Sequence, residues 1–209
     1  TLTKEEYDDL HNYKKINWSE LSTNPNAIKL LEKRIEYEKT LTEEELDDFD
    51  NPNKINWDEL SANPNAIKLL KKNINKIDWN RLSQNFNSID LLKKYPNNIN
   101  WRNLCINPNA IELLEERIKY ENNLTRVEYG NKIDWDLLSG NPNAIHLLEN
   151  NKNKINWKKL CSNPNAINLI KERIEYEKSL TKIEYITLEN KIDWKFLSTN
   201  PAIFTSLKF

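Results

Sequence analysis

Seven tryptophans, at positions 18, 57, 79, 101, 135, 157 and 194, set the frame of this chain, because the same residues recur around each of them. The fullest block is Ile-Asn-Trp-x-x-Leu-Ser-x-Asn-Pro-Asn-Ala-Ile-x-Leu-Leu. It runs from Ile16 to Leu31, from Ile55 to Leu70, and again from Ile155, where Cys161 replaces the Ser and Ile170 the final Leu. The Trp-to-Trp spacings are 39, 22, 22, 34, 22 and 37 residues, so the shortest period is 22. A unit that short cannot bury its apolar face alone, and neighbouring units must stack into a shared core. Residues 1–209 are therefore expected to form a single α-helical repeat domain.

Asn or Asp precedes every Trp: Asn17, Asn56, Asp78, Asn100, Asp134, Asn156 and Asp193. Both side chains accept hydrogen bonds from the free N–H groups of a first helical turn, so each Trp is expected to begin a short helix. Glu20 and Glu59 stand where they would complete a reciprocal capping box. Leu recurs three residues after each Trp, on the same helical face, and the seven indoles are expected in equivalent, mostly buried settings. A second helix is expected from each Asn-Pro, at 24–25, 63–64, 107–108, 141–142, 163–164 and 200–201, with Asn as the cap and Pro at the first helical position. Ala27, Ile28 and Leu31 then form its apolar stripe. The third unit has Phe86 in place of Pro and Ser88 in place of Ala, and Phe86 is expected to bury its ring. The seventh is one residue shorter, reading Asn200-Pro201-Ala202-Ile203.

The longer spacings carry their own repeated text. Arg34-Ile35-Glu36-Tyr37 returns as Arg117-Ile118-Lys119-Tyr120 and as Arg173-Ile174-Glu175-Tyr176, extending the second helix. Thr3 with Glu6, Thr42 with Glu45, Thr125 with Glu128 and Thr181 with Glu184 have capping-box spacing between flanking large apolar residues, which predicts an extra short helix. The fold class is all-α: a short-helix solenoid of seven Trp-anchored repeats, with extra helices in the longer units.

Composition narrows function. Lys plus Arg total 31 against 32 Asp plus Glu, mixed along the chain, so no strong field recruits nucleic acid or an anionic membrane. The Lys pairs 14–15, 71–72, 93–94 and 158–159 are diluted by acids, and nucleic-acid binding is not expected. No apolar run reaches the length of a membrane span, and membrane insertion is not expected. Only two Gly occur, which leaves no phosphate-cradling loop. Cys105 and Cys161 occupy the slot held elsewhere by Ser22, Ser61, Ser83, Ser139 and Ser198, so they read as small packing residues, too far apart for a disulfide. His11 lies in a polar leader, and His146 occupies a variable slot with Lys29, Lys68, Asp90, Glu112 and Asn168. Two His and two Cys in unrelated contexts do not supply a zinc site. The pairs Asp47-Asp48 and Glu115-Glu116 read as solvated segments rather than acid/base groups. Asn17 and Asn123 begin glycosylation-type triplets but are read as helix boundaries. No catalytic, cofactor-binding or metal-ligating residue is assigned, and the chain is not expected to be an enzyme.

Two features remain for function. Asn24 and Asn26, with their equivalents, are expected to stack as a polar ladder, Asn26 reaching the open carbonyls of the preceding helix or facing a ligand. The two slots after each Trp vary instead: Ser19-Glu20, Asp58-Glu59, Asn80-Arg81, Arg102-Asn103, Asp136-Leu137, Lys158-Lys159 and Lys195-Phe196. They are expected to form an outward stripe able to encode a partner. The full block, with its Arg-Ile-Glu-Tyr-Glu extensions, resembles repeat proteins abundant in giant double-stranded DNA viruses of protists, over nearly all of residues 16–209. That resemblance implies a viral origin and contact with proteins, and it transfers no site residue. The expected function is a protein-interaction scaffold with a viral or host protein partner, in the host cytoplasm. A structural or minor capsid component bridging virion subunits is the alternative. Oligomeric state is left open.

Overall fold

The computed structural model describes residues 16–42, 54–124 and 130–203, and every regular element among them is helical. The chain divides into two compact units, Thr1–Asn98 and Ile99–Phe209. The first contains α1 (Trp18–Leu21), α2 (Ile28–Glu38), α3 (Trp57–Ala62), α4 (Ile67–Lys72), α5 (Trp79–Gln84) and α6 (Ile89–Lys94). The second contains α7 (Trp101–Leu104), α8 (Ile111–Asn122), α9 (Trp135–Ser139), α10 (Ile145–Glu149), α11 (Trp157–Leu160), α12 (Ile167–Ser179), α13 (Lys182–Thr187) and α14 (Trp194–Leu197). Within each unit the first helices of successive repeats stack, α3 on α5 and α9 on α11, as a solenoid requires.

All seven Trp-initiated helices begin as the cap residues dictate. The side-chain oxygens of Asn17, Asn56, Asp78, Asn100, Asp134, Asn156 and Asp193 each accept a first-turn N–H from extended backbone. The box expected at Glu59 does not close. The backbone N–H of Asn56 instead donates to the Ser22 hydroxyl of the preceding repeat at 3.1 Å, while Glu59 pairs with Arg81 of the next at 3.0 Å. At α1 the cap bond from Glu20 N–H to Asn17 is present without the reciprocal one. A full capping box is formed by Thr181 and Glu184 at α13. The boxes at Thr3, Thr42 and Thr125 depend on residues outside the described ones.

The second helices start later than Asn-Pro predicts. They begin at the Ile of Asn-Pro-Asn-Ala-Ile, and the four preceding residues form a turn. In that turn Asn24 Oδ1 accepts from Asn26 N–H at 2.9 Å, and Ala27 N–H donates to Asn24 O at 3.2 Å. Pro suits the second place of such a turn as well as a helix start, because its φ is fixed near the value both need. Phe86 does not bury its ring; it is 47 % exposed. The turn it occupies is held by Asn85 Oδ1 accepting from Asn87 N–H, and the Ser88 hydroxyl, where other units have Ala, is satisfied by Asn85 O at 2.6 Å.

Burial of the indoles is likewise not uniform. Trp18 and Trp157 are buried, Trp57, Trp79, Trp101 and Trp135 are half-buried, and Trp194 is 54 % exposed. The dry core is made in the first unit by Leu60 and Leu82, three residues after Trp, with Leu31, Leu70 and Leu92 of the second helices, and in the second unit by Leu104, Leu138, Leu160 and Leu197 with Leu114 and Leu148, all fully buried. The indole sits at the margin of that core, where a long side chain from the end of its own repeat covers it. Arg34 lies over Trp18 at 5.2 Å, Arg117 over Trp101 at 5.1 Å, Arg173 over Trp157 at 4.9 Å and Lys154 over Trp135 at 4.7 Å.

In the longer units that arginine is the hub of a recurring node. Arg34 also stacks on Tyr37, Arg117 on Tyr120 and Arg173 on Tyr176, each at 4.9 Å. Its Nε donates to the glutamate four residues on, from Arg34 to Glu38 at 2.9 Å, Arg117 to Glu121 at 2.7 Å and Arg173 to Glu177 at 2.9 Å. The same carboxylate accepts the N–H of the Ile that opens the next block: Ile55 at 2.8 Å, Ile133 at 3.1 Å and Ile192 at 2.9 Å. Burial pushes the Glu38 carboxyl above its ordinary pKa, against the bonds from Ile55 N–H and Arg34. Arg117 and Arg173 donate further to the carbonyls of Asn131 and Asn190, whose side chains bracket the previous block by accepting from Trp101 N–H and Trp157 N–H. The node joins a long unit to the next block at the place where a short unit has a 3₁₀ turn, for example at Ile74–Lys76.

Candidate interaction surface

Three polar bonds recur at the steps between repeats. The Asn that opens each turn sends its amide back to the preceding repeat. Asn63 donates to Ser22 O at 2.9 Å, Asn85 to Ser61 O and Asn63 O at 3.0 and 2.9 Å, and Asn141 to Cys105 O and Asn107 O at 2.9 and 3.1 Å. Asn163 and Asn200 repeat the pattern. The second Asn of the motif donates to a proline carbonyl: Asn65 to Pro25 and Asn165 to Pro142 at 2.9 Å, Asn87 to Pro64 at 3.0 Å. The expected ladder is present, and its side chains are spent within the protein rather than offered to a ligand.

The third bond uses the residue four after Trp. Its hydroxyl donates to the Trp carbonyl, as Ser61 does at 2.7 Å, and accepts a backbone N–H from the next cap, as from Asp78 at 3.0 Å. Cys105 takes the same place, its thiol 3.2 Å from Trp101 O. Both cysteines are free and buried, and burial pushes the thiols of Cys105 and Cys161 up to about 12 and about 11. Their folded pKa values exceed the ordinary 9.0, so the stability they contribute is full below pH 9 and is lost as pH rises through about 11 to 12. Alkylation by iodoacetamide at pH 8 is expected to be at least about 100-fold slower in the native than in the denatured protein. Equal rates measured by mass spectrometry would show that these thiols are not held in the core.

The variable slots after Trp are exposed or half-buried, and the first of them also touches the next repeat's cap. Asn56 donates to the Ser19 hydroxyl at 3.0 Å and Asn156 to the Asp136 carboxylate at 2.9 Å. Where the slot holds a cation the facing cap is acidic: Arg102 meets Asp134 at 2.9 Å and Lys158 meets Asp193 at 3.6 Å. The choice between Asn and Asp, neutral for capping, thus follows the charge of the neighbouring unit. The Asp58–Asp78 step departs from this rule, and there Arg81 pairs with Glu59 instead. Lys158 also lies 5.1 Å from the Phe196 ring, so it serves the repeat step as well as the surface.

No family model, curated protein or solved structure matches the chain. What the surface offers must therefore be read from its own residues. Lys29, Lys68, Asp90, Glu112, His146 and Asn168, the slot after the second-helix Ile, are all exposed, as are Glu20, Asp58, Arg81, Arg102, Lys158 and Lys159. An open cleft of about 530 Å³ is lined by Asn156, Lys158, Glu189, Asp193 and Trp194 among others. Glu115 pairs with Lys119 at 2.9 Å, which holds its carboxyl below the ordinary range, and Glu116 is exposed, as a solvated helix face requires. Asn17 and Asn123 lie at the helix boundaries expected of them. His11, Lys14, Lys15, Asp47 and Asp48 lie outside the described residues. No described helix is long and apolar enough to cross a membrane, and no group of three or more His, Cys, Asp or Glu among the described residues is placed to hold a metal ion.

The signals missed in the sequence were the Arg-Ile-x-Tyr-Glu glutamate and the slot-to-cap pairing. The first was visible as Glu38, Glu121 and Glu177 recurring four residues after an Arg. The second was visible as Asp following a cationic slot at Arg102 and Lys158.

Proposed function

We propose that this chain is a protein-interaction scaffold without catalytic activity, of giant-virus origin by its resemblance, binding a viral or host protein. One observation carries the reading: the Leu positions and the turn-opening Asn that recur are consumed by core and ladder from the second repeat on, while the slot after the second-helix Ile, which differs from unit to unit, is exposed. Asn63, Asn85, Asn141 and Asn163 are at most 2 % exposed, whereas the slots at Lys68, Asp90, His146 and Asn168 face solvent. A surface that varies on a fixed frame can be matched to a partner without cost to folding.

Lys159 is the cleanest handle, because Lys158 is engaged by Asp193. Lys159→Glu is expected to leave the circular dichroism and melting temperature within about 2 °C of wild type, since isolated surface changes cost little. It should reduce capture of the native partner from infected-cell extract at least about tenfold if central stripe contacts carry the affinity. Unchanged capture by Lys159→Glu, with capture lost on Lys68→Glu, would move the binding site to the second-helix slot. Stoichiometric recovery of the chain from washed particles would instead support the structural role in the virion.

A further inference from the structure

Between residue 60 and Asn98 the first unit carries seven Lys and Arg against two acids, although the whole chain is nearly balanced at 31 against 32. Neither acid offsets the excess. Asp78 caps α5 and accepts Arg81 N–H at 2.7 Å, and Asp90, on the first turn of α6, forms no ion pair among the described residues. Arg81 is taken by Glu59 at 3.0 Å. Lys68, Lys71, Lys72 and Lys94 on the second helices α4 and α6, and Lys76 in the 3₁₀ turn after α4, are all exposed.

Opposite charges meet at other steps between second helices. Lys72, five residues after the Ile that opens α4, lies 2.8 Å from Glu32, four residues after the Ile that opens α2. In the second unit Lys152, just after α10, lies 2.6 Å from Glu172 of α12. The offsets of the Lys72–Glu32 pair, moved one repeat along, set Lys94 of α6 against Lys71 of α4. Two ammonium groups stand there in place of an ion pair. Neither has a carboxylate within ion-pair distance among the described residues, and Lys94 lies instead 5.6 Å from the Tyr95 ring. Like charges facing one another across packed helices cost stability. A step that breaks the rule its neighbour keeps marks a place where the chain serves something besides its own folding.

Anionic partners differ in what else they require. An unpaired base needs an open ring to stack on, and the Tyr95 ring is half-buried, with Lys94 beside it and Trp79 at 5.4 Å. A bilayer needs apolar side chains to insert next to the cations. The exposed Phe86 of these repeats lies in the turn before α6, at the opposite end of that helix from Lys94. A carboxylate-rich polypeptide needs only charge at matching intervals. Packed helices lie about 8–10 Å apart and an extended chain advances about 3.3 Å per residue, so acids three residues apart span one step.

We infer that the exposed edge of α4 and α6, centred on Lys71 and Lys94, binds a carboxylate-rich segment of a partner protein. The inference rests on the scaffold reading and gives one contact of that scaffold, on the second-helix row, its chemistry.

The test uses the purified full chain and a fluorescein-labelled peptide of Glu-Glu-Ser repeated four times, with a Gln-Gln-Ser counterpart of equal length. Anisotropy is expected to give a Kd below about 100 µM for the acidic peptide at about 50 mM NaCl, at least about tenfold tighter than for the neutral one. Raising NaCl to about 300 mM should weaken it at least about fivefold, because surface charge is screened. Lys71→Glu restores at this step the opposite charges that Lys72 and Glu32 have one step earlier. Its melting temperature should therefore equal that of wild type or exceed it by up to about 3 °C, while peptide binding falls at least about fivefold. Lys94→Glu should behave in the same way. Lys182→Glu makes the same change of net charge at an exposed lysine of the second unit and should bind within about twofold of wild type. Wild type that ignores the acidic peptide, an equal loss in Lys182→Glu, or a lowered melting temperature in both Lys71→Glu and Lys94→Glu would overturn the assignment. So would tighter binding of a uridine oligonucleotide of about twelve residues, or of phosphatidylserine–phosphatidylcholine vesicles, than of the peptide. A native partner captured equally well by wild type and by Lys71→Glu would overturn it while leaving the scaffold reading standing.

Discussion

Asn141→Ala is expected to lower the unfolding free energy of the unit that contains it by about 2–4 kcal/mol, far beyond a typical surface substitution. Asn141 is 2 % exposed and donates to both Cys105 O and Asn107 O, while its Oδ1 accepts from Asn143 N–H at 3.0 Å. Truncation leaves a part-buried N–H and two buried carbonyls short of a partner, and an unmet buried group costs more than the net worth of the bond it made. Asn24→Ala removes the same side chain from a solvated rung and should cost under about 1 kcal/mol. Urea denaturation of both variants measures the difference, and hydrogen exchange should place the Asn141 loss in adjacent repeats, because coupling in a stacked array is local. Equal losses for Asn141 and Asn24 would mean that the ladder contributes nothing to cohesion between repeats.

Glu177→Ala should be comparably damaging, by about 3–4 kcal/mol, and for a different reason. Glu177 is buried, takes the Nε proton of Arg173 at 2.9 Å and accepts Ile192 N–H at 2.9 Å. Its loss leaves Arg173 charged with only its bond to Asn190 O and its two aromatic faces, and leaves the buried Ile192 N–H without an acceptor. Glu177→Gln retains an oxygen for Ile192 and should recover roughly half of the loss. A double-mutant cycle with Arg173→Ala should return a coupling of at least about 1 kcal/mol, as direct contacts within one network do. A coupling near zero would separate the ion pair from the cap and reduce Arg173 to a cover for Trp157.

The repeat itself was written in the sequence. Local rules settled the elements: Asn or Asp before Trp starts a helix because four N–H groups there need acceptors, and Leu three residues on shares the face of the indole. The periodic Leu, Ile and Ala positions named the core, and the slots between them named the surface. The extension through Arg-Ile-x-Tyr was legible as continued helical periodicity, and Cys105 and Cys161 were legible as serine replacements.

The tertiary structure decided what each polar residue spends its hydrogen bonds on. Asn24 and its equivalents satisfy a cap, a turn and an inter-repeat amide equally well in one dimension. Only the carbonyls of Ser22 or Cys105, 36 to 41 residues away in sequence, select among them. Glu59 turned from its own helix to Arg81 for the same reason, an outside partner competing with the local one. Burial of Trp18 also depended on a partner, since this indole at the edge of a Leu core is covered by Arg34 reaching over it. Sequence periodicity fixes which way a side chain points from its own helix, while the chain that arrives to meet it is a property of the folded array.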